Sequence, residues 1–234
     1  MINAGNPAAA LSGSIRLQGA RIDQIILEGY RESISRIVKH SFIFPRGFRK
    51  AIFCRVWLGC RGRGWCEITW TWYPLASEDS TFPRAPGSLN LGNGEGLRFE
   101  RLIAIDDDYM FTVTDRVQNI TDDPLLLYPY GLIRRTHEPP TLGFFILHKG
   151  PPWSFNGTLK EIDYDDLRDS RSESIETTGG WIGITDKYWL AALIPDQTTP
   201  MRGRFRYKEG LDGEKFQWSI GSLEKILVVD RVLR

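Results

Sequence analysis

The sequence predicts a large all-β domain, and three observations carry that prediction. Apolar runs of strand length recur along the chain, many with the period-two alternation of a half-buried strand. Turn residues separate them: 23 Gly and 13 Pro are spread over 234 residues, a density that suits hairpins better than helices. No repeat, no heptad and no helical pattern beyond a turn or two breaks the series. At 41% hydrophobic and 12% aromatic, the chain can fill one β core, since sandwiches and barrels often reach roughly 200–250 residues as one unit.

Gly179 to Pro195 is the segment around which the rest is expected to assemble. A glycine pair opens it, Asp186-Lys187 turns it and Pro195 closes it. In the first arm Ile182 and Ile184 alternate with Trp181 and Gly183; in the second, Tyr188 to Ile194 is apolar throughout. An unbroken apolar run predicts burial on both faces.

The other elements follow in order. Residues 1–13 read as a flexible lead-in of Ala, Gly, Asn and Pro, with the main β domain over 14–217. Ser14–Leu17 and Ala20–Tyr30 predict strands joined at Gln18-Gly19; Ile22, Gln24 and Ile26 share one face, Ile25 and Leu27 the other. Gly96 to Asn119 predicts a hairpin turned by Asp106, Asp107 and Asp108, and Asp122-Asp123-Pro124 starts a strand over Leu125–Arg135. Phe144–His148 predicts a short strand. Asn156-Gly157, a strong hairpin dipeptide, joins Trp153–Phe155 to Thr158–Ile162. Asp163 to Leu167 predicts one helical turn with Asp163 as N-cap. Arg168 to Thr178 reads as a polar surface loop, and Arg204–Tyr207 and Lys215–Trp218 flank a turn at Asp212-Gly213.

The chemistry legible in the residues points to binding or scaffolding. Thirty Lys+Arg against 29 Asp+Glu gives no polycation for nucleic acid and no acidic tail. No apolar stretch approaches the ~18–20 residues of a membrane span, and Met1 to Gly13 lacks the basic start and apolar core of a signal peptide. Cys54, Cys60 and Cys66 fit no zinc spacing, and their odd number fits no closed disulfide set. Gly92-Asn-Gly-Glu-Gly96 lacks the Lys-Ser/Thr ending of a phosphate loop and precedes a strand, so it reads as a turn. His40, His137 and His148 have no motif partner; neither GxSxG nor HExxH occurs. The carboxylates at 106–108 and at Asp163, Asp165 and Asp166 fit turn and cap roles better than calcium or glycoside chemistry. Tyr128, Tyr130, Trp153, Phe155, Trp181 and Trp189 are candidates for a binding groove, weighed against their use as core. Asn119-Ile-Thr121 and Asn156-Gly-Thr158 match glycosylation acceptors, a pattern common by chance. No catalytic, cofactor or metal residue is assigned, and no enzyme is expected.

Several segments carry a family resemblance. Phe99 to Thr114, Pro129 to Arg135, Leu147 to Gly150, Glu161 to Leu167 and Gly179 to Gln197 resemble the large periplasmic domain of bacterial YidC membrane-protein insertases; Ile22-Asp23 through Glu32 resembles its first strands. The resemblance implies a β-supersandwich, similar to galactose-mutarotase-like domains. It implies an accessory role on the periplasmic side of the inner membrane, with a chaperone-like surface and a docking site for a Sec-translocon subunit. Nascent membrane proteins are the implied clients. The inserting membrane helices of the family are absent from this chain. No catalytic residue carries over, and the partner-binding residues are unknown.

The departures are local. Between about Val38 and Ser88 the resemblance gives way to Arg, Trp, Cys and Gly, including Arg46, Arg49, Arg55, Arg61 and Arg63. Codons compatible with Ala51 to Cys60, read one base later, can spell Pro-Tyr-Phe-Ala-Glu-Phe-Gly-Trp-Val, a family-like string. Residues 38–88 are therefore expected to be out of frame, irregular and poorly packed, because buried unpaired charge is costly. Residues 218–234 are expected to form a divergent tail. Two other readings stand beside the accessory domain. One is a carbohydrate-binding or mutarotase-like enzyme, which needs a histidine and a carboxylate in one concave site, with His137 or His148 near Glu138 as its candidates. The other is a non-functional frameshifted remnant.

Overall fold

A computed structural model describes residues 2–3, 11–16, 21–33, 36–43, 52–60, 73–74, 87–92, 96–106, 108–138, 150–186, 189–211, 213–224 and 226–228. The expected all-β class is what the chain forms. The first strands are β1 (Ile2–Asn3), β2 (Leu11–Arg16), β3 (Arg21–Ser33), β4 (Arg36–Ile43), β5 (Ile52–Cys60), β6 (Tyr73–Pro74) and β7 (Gly87–Gly92). Then come β8 (Leu97–Ile105), β9 (Phe111–Asn119), β10 (Leu125–Thr136), β11 (Pro152–Phe155) and β12 (Thr158–Glu161). After the helix α1 (Tyr164–Ser170) follow β13 (Ser172–Thr178), β14 (Trp181–Asp186), β15 (Trp189–Leu193), β16 (Pro200–Gly210), β17 (Gly213–Ser222) and β18 (Ile226–Val228).

The chain divides into two compact units. One holds residues 1–44, 60–127 and 226–234. In it β1, β2, β3 and β4 pair antiparallel in sequence order, and β6 to β9 form a four-stranded meander. The start of β10, Leu125–Leu127, pairs with β18. In β3 the buried face carries Ile25 and Leu27. Leu11 is 2% exposed at the head of β2, so residues 1–13, expected as a loose lead-in, supply β1 and the start of β2. The β8–β9 hairpin turns where expected: Asp106 Oδ1 accepts from the backbone N–H of Asp108 at 2.9 Å and of Met110 at 2.8 Å.

The second unit, residues 45–59 and 128–225, is a sandwich. One sheet runs β5-β10-β17-β16-β13, the other β12-β11-β14-β15. Between them lies a continuous apolar core: Ile133 from β10, Trp153 and Phe155 from β11, Ile182 and Ile184 from β14, Met201 and Phe205 from β16, and Phe216, Trp218 and Ile220 from β17. Helix α1 adds Tyr164 and Leu167, with the Tyr164 ring edge-on to Phe216 at 4.6 Å. Burying one such side chain contributes about 1.5–3 kcal/mol. The sheets approach closely at Gly203, where a Cβ would lie 2.5 Å from the Phe155 ring. The Asn156-Gly157 turn has φ of 51° and 75°, the two positive values of a type I′ hairpin. Asp163 is the N-cap of α1 by position, without a side-chain cap bond.

Three expectations are corrected. Strand β15 is not buried on both faces: among the described residues it pairs only with β14, and Leu190 and Ile194 are 53% and 54% exposed. Its apolar run belongs to a sheet edge, and the deep burial falls on Ile182 and Ile184 of β14. Arg168 to Thr178 is not a loop; it completes α1 and forms β13, which pairs with β16 from Ser172↔Arg206 to Thr178↔Pro200. The segment looks polar because only Glu173, Ile175 and Thr177 turn inward. The stretch 38–88, expected to be irregular, contains most of β4, all of β5 and β6, and the start of β7, and the β3–β4 ladder shifts register at three places. Finally, the boundary expected at 217 falls inside β17, whose Trp218 and Ile220 are core residues. The Phe144–His148 strand, the Asp186-Lys187 turn and the five arginines at 46–63 lie outside what the structure describes in detail.

Candidate functional site

The densest cluster of ionisable side chains sits where α1 meets β16 and β17. Arg168, in the last turn of α1, donates from Nε to Glu214 Oε1 at 2.7 Å and from Nη2 to Glu214 Oε2 at 3.1 Å. The same Nη2 reaches Glu138 Oε2 at 2.7 Å, and Nη1 reaches Asp165 Oδ1 at 2.5 Å. Tyr207 donates its hydroxyl to Glu214 Oε1 at 3.2 Å. The guanidinium lies 5.4 Å from the Phe216 ring centroid, so the cluster rests on the apolar core. Hydrogen bonds from Arg168, opposed by burial, hold the Glu214 carboxyl below its usual range. Burial, with the Glu214 charge, pushes the Tyr207 phenol up. Hydrogen bonding to Glu214, against burial, raises Arg168 further. The cluster can hold α1 against the sheet, with three carboxylates accepting from one guanidinium.

The neighbouring histidine is placed by backbone geometry. His137 takes φ 61°, and its N–H donates to Glu214 O at 3.2 Å. Its ring covers Gly213, where a Cβ would lie 2.3 Å from His137 Cε1. Arg135, 1% exposed, donates from Nε to His137 O at 3.2 Å. Thus Glu138 is brought to Arg168 rather than to a catalytic pairing with His137 of the kind the mutarotase-like reading needs. His148 lies outside the described residues, as do the side chains of His40, Cys54 and Cys60 and all of Cys66.

The remaining candidates divide between core and surface. Trp153 and Phe155 are 2% exposed and belong to the core; Tyr128, Tyr130 and Trp181 are half-buried. The Trp189 side chain is outside the described residues. Asp106 is a turn acceptor, and Asp165 joins the Arg168 cluster. Asp163, the N-cap of α1, and Asp166, in its first turn, are exposed, and Asp107 is outside the described residues. Gly96, at φ 89°, accepts from Ile120 N at 2.8 Å at the open end of the β8–β9 hairpin, and residues 93–95 of the expected turn lie outside the described residues. Asn119 is 2% exposed, and its Nδ2 donates to Asp123 O at 2.8 Å, so that acceptor match is a folded turn. Asn156 is exposed at its hairpin and accepts from Thr177 Oγ1 at 3.3 Å. Among the described residues no group of three or more His, Cys, Asp and Glu could hold a metal ion, and no helix is long and apolar enough to cross a membrane.

Two features escaped sequence reasoning. One is Asp196, whose Oδ1 accepts from the hydroxyl and N–H of Thr198 at 2.6 and 2.8 Å and from those of Thr199 at 3.1 and 2.9 Å. These bonds hold its carboxyl down at about 2. The Asp-x-Thr-Thr spacing was the available signal. The other is Gln197, which ties the glycine pair: Gly180 N donates to its Oε1 at 2.8 Å and its Nε2 donates to Gly180 O at 3.1 Å. Only glycine fits at 180, where φ is 92° and a Cβ would lie 2.1 Å from Ser154 O.

The described strands define a β-sandwich domain. The profile of the YidC periplasmic domain matches residues 8–228, and the chain belongs to that family. It is 39% identical over 205 residues to the membrane protein insertase YidC of Beijerinckia indica, with 83% of this chain and 33% of that protein covered. With the membrane protein insertase YidC of Methylorubrum extorquens the identity is 37% over 211 residues, covering 84% and 33%. With that of Nitrobacter hamburgensis it is 35% over 218 residues, covering 88% and 35%. The chain spans about a third of the length of these curated relatives.

Proposed function

We propose that this chain is the periplasmic accessory domain of a YidC-type insertase at the inner membrane, assisting insertion and folding of membrane proteins. The observation that carries this reading is the family match across nearly the whole chain. Nascent membrane proteins are the clients, and a subunit of the Sec translocon is the docking partner. The apolar edge of β15 is the surface offered to a client, because Leu190 and Ile194 are exposed there. An exposed strand edge can pair with an extended segment of another chain. The composition change over 38–88 is read as a shifted frame, and sequencing the locus tests it: an unbroken frame with these codons removes that part.

The test of function uses a chimera. This chain replaces the matching third of the Beijerinckia insertase, with a photoactivatable residue at Leu190 or Ile194. Cross-links to an arrested nascent membrane protein, and to a Sec subunit from some surface position, are expected. A chimera that inserts its substrates yet gives neither cross-link overturns the accessory role.

A further inference from the structure

The solvent face of the larger sheet in the second unit carries a two-dimensional array of cations. Along β16, Arg202, Arg204, Arg206 and Lys208 alternate outward between Met201, Gly203, Phe205 and Tyr207. Period two places them about 6.6–6.8 Å apart along the strand. Register continues the array across the sheet. Lys208 stands opposite Lys215 of β17, Arg206 opposite Gln217, and Gln217 opposite Arg134 of β10. Arg134 donates from Nε to Gln217 Oε1 at 3.0 Å, which fixes that row. On the other flank Arg206, Arg204 and Arg202 face Ser172, Ser174 and Glu176 of β13. Among the described residues of these four strands, Glu176 is the one carboxylate on the face, and it pairs with Arg202 at 2.5 Å. Four exposed cations thus stand in line along β16 beside one carboxylate, in a chain whose net charge is only +1.

We infer that this face docks on the anionic headgroup surface of a lipid bilayer. The positions between the cations are Ser172, Ser174, Ser219, Gln217 and Gly221, and Tyr130 and Leu132 of β10 on the same face are half-buried, so no exposed aromatic anchor of the kind that centres protein–protein interfaces stands among these described residues. The backbone groups of β10, β17 and β16 are used in ladders on both sides, so a peptide strand cannot add there. What remains is long-range attraction between the cations fixed on the sheet and the phosphates of a headgroup surface. The inference rests on the accessory-domain reading for its location beside a membrane, but not for its charge geometry.

The full chain is sedimented at low ionic strength with vesicles of phosphatidylcholine alone or mixed with phosphatidylglycerol. Binding is expected only to the mixed vesicles and falls as salt is raised. Each cation removed weakens binding about fivefold, so the triple variant Arg204→Gln, Arg206→Gln, Lys208→Gln loses about a hundredfold. A pair of Arg204→Lys and Arg206→Lys keeps binding, and matching circular dichroism shows that both variants fold. Equal partition of the wild-type chain to neutral and anionic vesicles overturns the inference, with or without a folded triple variant. So does a triple variant that binds like wild type. Tighter binding to polyglutamate than to the mixed vesicles overturns it in favour of an acidic protein partner. Nascent-chain cross-links without vesicle binding reject this inference alone; vesicle binding without cross-links rejects the accessory role alone.

Discussion

Arg168 draws together side chains that lie far apart in the sequence. Its partners Glu138 and Glu214 are 30 and 46 residues away, and only Asp165, three residues back, is within reach of a local pattern. A reading of spacing therefore assigns Arg168 to a polar loop and pairs Glu138 with its neighbour His137. The guanidinium and both distant carboxylates are each less than a third exposed, so the pairs are worth more than surface bridges. Arg168→Gln leaves three carboxylates facing one another and is expected to cost about 1–3 kcal/mol in urea unfolding at neutral pH. The pH dependence has a definite sign. The Glu214 carboxyl is held below its unfolded value chiefly by Arg168. Its stabilisation is fully present above the unfolded value of about 4.3 and disappears as pH falls through the lowered folded value. Urea midpoints of the wild type should thus drop more steeply on acidification below about pH 4 than those of Arg168→Gln. Parallel curves for the two proteins would show that Glu214 owes nothing to Arg168.

Strands reveal what alternation can and cannot decide. The β8–β9 hairpin is plain in the sequence, because Phe99, Ile103, Val113 and Val117 fall on one face and a carboxylate cluster makes the turn. The same alternation hides a pair within it: Arg101 lies on the inner face at 4% exposure, directly opposite Asp115. Two bonds join them, Nε to Oδ1 at 2.6 Å and Nη2 to Oδ2 at 2.7 Å. Only the register exposes that match, since each residue alone reads as an interruption. Edge position is equally invisible. An apolar run looks the same in β15, at an edge, as in a central strand, while β13 forms a strand with Ile175 as its one strongly apolar inward residue. Removing Asp115 takes two charge-assisted bonds from a buried guanidinium. Asp115→Ala is expected to cost about 1–3 kcal/mol. Arg101→Met with Asp115→Leu should recover most of that loss, because an apolar pair carries no desolvation cost. Denaturant midpoints of the three proteins check this. A double variant as unstable as Asp115→Ala would mean that shape, not the lost bonds, sets the loss.

At the scale of the molecule, the class of fold was legible and the order of strands was not. Hairpins are local, so Asn156-Gly157 and Asp106 announce themselves. The placement of β10 beside β17 joins residues more than 75 positions apart, as in Tyr130↔Gly221 and Thr136↔Lys215, and no spacing rule reaches that far. The family resemblance implied the β-supersandwich there, while the core could be located only from coordinates. That core has a consequence for folding. All twelve of its buried residues, from Ile133 to Ile220, lie within residues 128–225. The fragment contains both walls of the sandwich and the helix against them, lacking only β5 beside β10. A segment with its own apolar centre is a unit that can fold alone, and at about a hundred residues it is large enough to do so without a staple. The fragment 128–225 is therefore expected to give a β-type circular dichroism spectrum and a single cooperative urea transition. The unpaired β10 edge is its hazard, so the measurement is made at low concentration and repeated with Leu132→Lys to discourage strand pairing between copies. A soluble fragment with a random-coil spectrum in both versions would mean that β5 is required to close the sandwich, and that the core cannot organise without it.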